Sequence, residues 1–106
     1  MDLREKKCVP CEGGVGKMTP EHIATYIGLV PDWEARDDRL HRTLLFPDFV
    51  AAMRFLNRVA EVAEAEGHHP DFSVQYNRVE MTLWTHAIGG LSENDFILAA
   101  KIDNLL

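Results

Sequence analysis

The amino-acid sequence predicts an α+β domain with a four-stranded antiparallel sheet, three helices on one face, and the element order α-β-β-α-β-β-α. Three segments carry apolar residues at helical spacing, and two pairs of short strand-like segments flank polar turns. Each half of the chain therefore contains a hairpin followed by a helix. The length of 106 residues fits one domain. We expect a flexible, glycine-containing lead-in over residues 1–18 and a single domain over residues 19–106.

The first half of this domain is expected to begin with a helix and to continue with a hairpin. Thr19 suits the N-cap, and Pro20 suits the first helical position, where its missing N–H breaks no hydrogen bond. Pro31 should end this helix, because the residue before a proline is driven out of the helical conformation. Residues 33–35 and 40–46 then form the two predicted strands of the hairpin.

The second helix has the clearest apolar spacing. Asp48 suits its N-cap, and Gly67 is expected to end it just after Glu66. Arg54 and Arg58 lie on the opposite, polar face of this predicted helix. The residues expected to face the core recur at three- and four-residue steps: Phe49, Val50, Met53, Leu56, Val59, Ala60 and Ala63.

A second hairpin and a third helix complete the predicted domain. The strands are expected over residues 72–75 and 79–86, with a turn between them. Ser92 is expected to begin the last helix, with Asp95 as its partner in a capping box. In the second strand of this hairpin, alternation predicts one apolar face formed by Val79, Met81 and Leu83.

Composition and charge restrict the function. Hydrophobic residues make up 46% of the chain and charged residues 26%, which is usual for a globular domain, and no apolar run is long enough to span a bilayer. The net charge of −6 argues against direct nucleic-acid binding. Cys8 and Cys11 form a lone C-x-x-C pair, without the sequence context of a redox motif or the second pair of a zinc site. With no signal peptide visible, we expect a cytoplasmic location.

A group of histidines is the strongest candidate for chemistry. His68, His69 and His86 stand at the ends of predicted elements, where their side chains can converge on one cleft, and Glu64 lies one helical turn before His68. Imidazoles exchange protons near neutral pH, and Pro70 restricts the backbone beside them. The alternatives are solvated histidines or a zinc site. Adjacent residues in an extended segment point in opposite directions, which argues against His68 and His69 sharing one ion.

Further side chains permit two interpretations each. Tyr76 and Trp84 could stack on a flat ring, although a tryptophan on the outer sheet face is also typical of an oligomer contact. Asp95 could serve the site or only cap its helix.

The spacing of these residues resembles that of a known family, the pterin-4a-carbinolamine dehydratases. The resemblance covers nearly the whole chain, and it is most specific between residues 64 and 95. The matching motifs are Cys11-Glu12-Gly13-Gly14, Trp33, Phe46-x-x-Phe49, Glu64-x-x-x-His68-His69-Pro70, Tyr76-Asn77-x-Val79, Thr85-His86 and Gly90-Leu91-Ser92-x-x-Asp95.

The resemblance implies a lyase that uses neither a cofactor nor a metal. Its reaction converts 4a-hydroxytetrahydropterin to quinonoid dihydropterin and water, in the recycling of tetrahydropterin used by an aromatic amino acid hydroxylase. By the same resemblance His68 and His86 are the acid–base groups, His69 mainly binds substrate, and Glu64 orients an imidazole. The implied pterin-binding residues are Gly67, His68, His69, Pro70, Tyr76, Trp84, Thr85, His86, Ala87 and Asp95.

The family also forms dimers by extending the sheet and tetramers by packing helices, so the resemblance implies a homodimer or homotetramer. An alternative function is a non-enzymatic dimerisation or assembly partner of the same fold, motivated by Phe49, Met53 and Leu56 and by the uncovered sheet face. The chain departs from the family at Trp84, where many members carry a small residue, and at Phe72, where some carry tryptophan.

Overall fold

The computed structural model describes residues 2–9 and 17–106, and the predicted fold class and element order are confirmed. Across this part of the chain the four strands form one antiparallel sheet in the order β1-β2-β4-β3, so β1 and β3 are its edges. The elements are α1 (Pro20–Ile27), β1 (Glu34–Arg36), β2 (Arg39–Leu45), α2 (Phe49–Glu66), β3 (Asp71–Gln75), β4 (Arg78–Leu83) and α3 (Glu93–Asp103), with short 3₁₀ turns at Leu3–Glu5 and His86–Ile88.

The two faces of the sheet differ sharply in burial, as the strand periodicity predicts. Val79, Met81 and Leu83 of β4 are at most 1% exposed, and Leu40 lies opposite Leu83 in the register of β2 and β4. The helices pack on this apolar face. The opposite face carries polar side chains such as Thr82. Alternation of side chains between the two faces of a strand produces this segregation.

Arg42 interrupts the apolar face of β2, and the structure explains how a charge is tolerated there. Its guanidinium pairs with the carboxylate of Asp103 at the end of α3, and the indole Nε1 of Trp33 donates to the same carboxylate over 2.8 Å. Burial raises the pKa of Asp103, while the hydrogen bonds from Trp33 and Arg42 act in the opposite direction. The pair ties β2 to α3.

Helix α2 begins and ends where the sequence predicts. Asp48 caps it by accepting a hydrogen bond from the Ala51 N–H over 2.8 Å, and Gly67 ends it with a left-handed φ of 65°. Glycine adopts this conformation without the steric cost that other residues pay. No helix within residues 2–9 and 17–106, α2 included, combines the length and the apolar character needed to cross a membrane.

The predicted core face of α2 is only partly right. Leu56, Val59 and Ala63 are buried, but Phe49 and Val50 are 49% and 54% exposed and Ala60 is exposed. The prediction merged two neighbouring stripes of the helix. One continuous stripe with helical spacing faces the core, and it consists of Ala52, Phe55, Leu56, Val59 and Ala63.

The second strand of the second hairpin is shorter than predicted. β4 ends at Leu83, and His86 lies in a 3₁₀ turn instead of a strand. The strands beside β4 extend no further than its last residue. Leu83 pairs with Leu40, which lies just after the β1–β2 turn, so β4 has no strand beyond this point to pair with. The Thr85 N–H then donates to the carbonyl of Gly90 over 2.8 Å, which folds residues 85–90 into a compact loop.

The described part of the predicted lead-in is attached to the domain. Leu3 is 3% exposed within the core, which a flexible segment would not allow. The Val9 N–H donates to Asn94 Oδ1 over 3.0 Å, and the Asn94 amide donates to the Val9 carbonyl. A single buried leucine among charged residues has no periodicity to reveal it. The glycines predicted to loosen this segment lie outside the described residues, and the domain boundary at residue 19 stays a prediction.

Candidate active site

A cleft of about 720 Å³ opens where the C-terminal end of α2 meets the start of β3 and the loop after β4. All three histidines predicted to converge line this cleft. The sequence interpretation of one shared site is therefore consistent with the geometry. The predicted residues on its walls are Glu64, Gly67, His68, His69, Trp84, Thr85, His86 and Ala87.

The end of α2 determines where the first two histidines lie. The N–H of Gly67 donates to the last helical carbonyls, and the His68 N–H donates to the carbonyl of Ala63 over 3.2 Å. The left-handed turn at Gly67 directs the chain away from the helix axis. His68 and His69 follow this turn, and their rings contact different carboxylates.

His68 is held by a buried carboxylate. Its Nε2 lies 2.6 Å from Oδ1 of Asp95, whose side chain is 0% exposed. The other oxygen, Oδ2, accepts from the Thr85 hydroxyl over 2.8 Å and from the Ser92 N–H over 3.0 Å. An ionised carboxylate only accepts hydrogen bonds, so we assign the hydrogen of the neutral His68 ring to Nε2, which leaves Nδ1 as its proton acceptor.

Asp95 makes contacts that fit both interpretations of the sequence. It forms the capping box of α3 with Ser92, and it orients the imidazole of His68. The Ser92 hydroxyl lies 2.8 Å from the Thr85 hydroxyl, and Thr85 donates onward to Asp95, so the Ser92 hydroxyl is the donor of this pair. The chain of hydrogen bonds joins α3, the loop after β4 and the end of α2.

His69 has a weaker partner. Its Nε2 lies 2.9 Å from Oε1 of Glu64, so Glu64 does contact an imidazole, but the two side chains are 58% and 79% exposed. Exposed ion pairs of this kind contribute about 0–1 kcal/mol. The contact orients the His69 ring at the mouth of the cleft without fixing it rigidly.

His86 is positioned by an aromatic contact. Its ring stacks on the indole of Trp84, with centroids 3.9 Å apart and an interplanar angle of 29°. Its Nε2 lies 4.0 Å from Oδ2 of Asp71. The same carboxylate oxygen accepts a hydrogen bond from the Trp84 Nε1–H over 3.1 Å.

Three residues of the predicted binding set do not line the cleft: Pro70, Tyr76 and Asp95, which lies behind His68. Tyr76 lies in the β3–β4 turn, 66% exposed, whereas the cleft adjoins Asp71 at the opposite end of β3. Sequence spacing does not distinguish the two ends of a hairpin, so Tyr76 lies away from this cleft within one chain, and its contact with substrate stays a prediction. Pro70 is half-buried and lies in the chain between His69 and Asp71, both of which line the cleft.

Sequence reasoning also missed residues of the cleft. Asp71 is the most informative, because it faces both His86 and Trp84. Its position directly after His69-Pro70 was the available signal. Asn94 also lines the cleft, one residue before Asp95.

Cys8 lies on the wall of the cleft as a structural residue. Burial and the nearby Glu66 carboxylate raise the pKa of its thiol to about 12. Reactive cysteines require a lowered pKa, so this environment does not favour the redox interpretation of the C-x-x-C pair. Cys11 lies outside the described residues.

Within residues 2–9 and 17–106 no group of three or more His, Cys, Asp or Glu side chains is arranged to hold a metal ion. The zinc alternative therefore has no ligand cluster to support it in the described part of the chain. Each of the histidines in the cleft faces a different carboxylate instead: Asp95, Glu64 and Asp71.

An α+β domain whose cleft contains imidazoles beside carboxylates has the residues of a proton-transfer site. Comparison with known proteins specifies the class. Residues 16–105 match the profile of the family described as pterin 4 alpha carbinolamine dehydratase. The chain belongs to this family.

Similar proteins cover the chain almost completely. A protein of Halorhodospira halophila, provisionally named pterin-4-alpha-carbinolamine dehydratase, is 48% identical over 99% of this chain and 98% of its own length. Pterin-4-alpha-carbinolamine dehydratase 2, mitochondrial, of Arabidopsis thaliana is 46% identical over 98% of this chain and 59% of its own. A crystal structure of a transcriptional coactivator/pterin dehydratase from Brucella melitensis aligns with a TM-score of 0.81 and 30% identity, covering 85% of this chain and 98% of that one.

Replacing Asp95 by Asn should move the hydrogen of the neutral His68 ring from Nε2 to Nδ1. The amide NH₂ of asparagine would donate to Nε2, where the carboxylate accepts. Nitrogen-15 NMR of the imidazole reads this change directly. The free energy of unfolding should fall by about 1–3 kcal/mol, because hydrogen bonds to a buried charged group are lost. Glu64→Gln is the matched control and should leave the His68 ring unchanged; an unchanged His68 ring in Asp95→Asn would contradict the assignment.

Proposed function

We propose that the protein catalyses the dehydration of 4a-hydroxytetrahydropterin to quinonoid dihydropterin and water. The observation that carries the proposal is that His68 and His86 line one cleft in a chain of the dehydratase family. The volume of about 720 Å³ is within the range of small-molecule sites and is sufficient for a bicyclic pterin ring.

The reaction needs two proton transfers. The bond between C4a and the hydroxyl oxygen breaks, the hydroxyl leaves with an added proton as water, and N5 loses its hydrogen. The electron pair of the N5–H bond forms the C4a=N5 double bond of the quinonoid product. One base and one acid on the two sides of this ring region are therefore sufficient, and each typically contributes about 10²–10⁴-fold in rate.

We assign the base to His68. With its hydrogen on Nε2 donated to Asp95, Nδ1 is the nitrogen that can receive the N5 proton. The imidazolium that results is stabilised by the buried carboxylate beside it. The hydrogen bonds from Thr85 and Ser92 hold that carboxylate in place, so little reorganisation accompanies the transfer.

We assign the acid to His86. Its ring is exposed to water, from which it can take up a proton, and its Nε2 lies 4.0 Å from the Asp71 carboxylate. His69 with Glu64 would bind the polar edge of the pterin ring, in keeping with the family pattern. Thr85 and the backbone around Gly67 and Ala87 would form the remaining walls.

The proposed substrate must be produced by another enzyme. A 4a-hydroxytetrahydropterin forms when a tetrahydropterin-dependent hydroxylase transfers oxygen to an aromatic amino acid, and dehydration returns the pterin to recycling. We place the protein at this step, with such a hydroxylase upstream, on the strength of the family alone.

The purified protein should accelerate the loss of 4a-hydroxytetrahydropterin above its spontaneous rate, followed by ultraviolet absorbance. His68→Ala and His86→Ala should each lower the rate by about 10²-fold or more, because each removes one proton-transfer group. His22→Ala, on the exposed surface of α1, is the matched control and should keep the wild-type rate. A wild-type protein that gives no acceleration would refute the proposal.

Self-association is a second candidate property. Exposed apolar side chains gather around the junction of β2 and α2, where Leu45 is 74%, Phe49 49% and Val50 54% exposed. The predicted surface also included Leu56, which is buried and cannot contribute. The Brucella melitensis relative is titled a coactivator as well as a dehydratase, which supports a surface for association. We propose that a second copy of this chain covers the exposed residues.

Light scattering should give a mass that is a multiple of 12.0 kDa for the wild type. Phe49→Glu should shift this mass towards the monomer, because it places a charge in an apolar contact. His22→Glu, which adds a charge on α1, should not change the assembly. A monomeric wild type at micromolar concentration would contradict self-association.

A further inference from the structure

Trp84 occupies an unusual place beside the cleft. It follows β4 directly, and its ring has a close contact with His86 on one element and with Arg39 on another. The Arg39 guanidinium carbon lies 4.2 Å from the ring centroid. A cation over an indole is attracted by the electrons of the ring, which restrains the indole on the outer face of the sheet.

The indole of Trp84 also restrains the carboxylate of Asp71. Its Nε1–H donates to Oδ2 of Asp71 over 3.1 Å, at the first residue of β3. Trp84 is thereby anchored to β2 through Arg39 and to β3 through Asp71. Side chains on adjacent strands at this distance restrain one another's rotamers.

His86 depends on this anchor more than the other imidazoles depend on their neighbours. Its side chain is 66% exposed, and its Nε2 is 4.0 Å from Asp71, beyond hydrogen-bond length. The stacking at 3.9 Å is the closest ring contact that restrains it. His68, in contrast, is 13% exposed and hydrogen-bonded to Asp95.

We propose that Trp84 is the positioning residue for His86: its face holds the imidazole parallel to the indole, and its Nε1–H holds the Asp71 carboxylate beside the imidazole nitrogen. The inference rests on the proposed function only where it concerns turnover. Without Trp84, the exposed imidazole of His86 would rotate freely at the surface.

Kinetics test the effect on turnover. Trp84→Ala should lower kcat by roughly 10- to 100-fold with a smaller change in KM, since a misplacement of about 1 Å costs on that order. Trp84→Phe keeps a ring for stacking and should recover most of the lost kcat. If Trp84→Ala raises KM alone, the indole only contacts substrate and the inference is wrong.

Fluorescence tests the contact without any substrate. The His86 ring covers one face of the indole, so its removal should expose Trp84 to water and increase the quenching of its emission by dissolved acrylamide. Quenching by acrylamide should increase in His86→Gln and stay at the wild-type level in His22→Gln. Trp33, buried and bonded to Asp103, contributes a background that is the same in all three proteins.

The charged groups around the contact are Asp71 on β3 and Arg39 on β2, and His68, His69 and Glu64 line the rest of the cleft. The comparison with His22→Gln, at one fixed pH, separates the loss of this contact from a general effect of replacing a histidine. Equal quenching in His86→Gln and in the wild type would overturn the inference. An inactive wild type whose indole is still protected by His86 would refute the proposed function and leave the positioning role supported.

Discussion

The buried carboxylate of Asp95 is the constraint on which the rest of the site depends. A carboxylate with no exposed surface is stable only when hydrogen bonds replace the water it has lost. Thr85, Ser92 and His68 supply those hydrogen bonds from three different segments. The carboxylate that caps α3 therefore also holds the His68 imidazole at the cleft.

The imidazoles of the cleft differ in the rigidity of their surroundings. His68 is nearly buried and bonded to a fixed acid, His69 shares an exposed pair with Glu64, and His86 rests on an indole. This difference in rigidity suits the proposed reaction. The fixed ring of His68 receives a proton in one direction, while the exposed ring of His86 exchanges protons with water. The exposed position of His86 allows it to regain a proton after each turnover, and the stack with Trp84 limits the motion that exposure would permit.

Local patterns in the sequence predicted most of the fold, and tertiary contacts account for the failures. Helix ends were predictable at Asp48, Gly67 and Ser92, because capping depends on contacts within a few residues of the chain. The convergence of the histidines was predicted from their positions at element ends. Three features depend instead on tertiary neighbours, which a single sequence does not reveal. They are the buried stripe of α2, the early end of β4 and the position of Tyr76. The contact between Trp84 and Asp71 crosses strands and has no local signal.

A crystal structure of the protein with an unreactive pterin analogue is the most direct test of the central claim that two imidazoles flank one substrate ring. The expected arrangement has the analogue in the cleft, with its N5 position roughly 3 Å from Nδ1 of His68 and the ring of His86 near the C4a position. An analogue bound away from the cleft, or one that contacts only a single histidine of this pair, would contradict it.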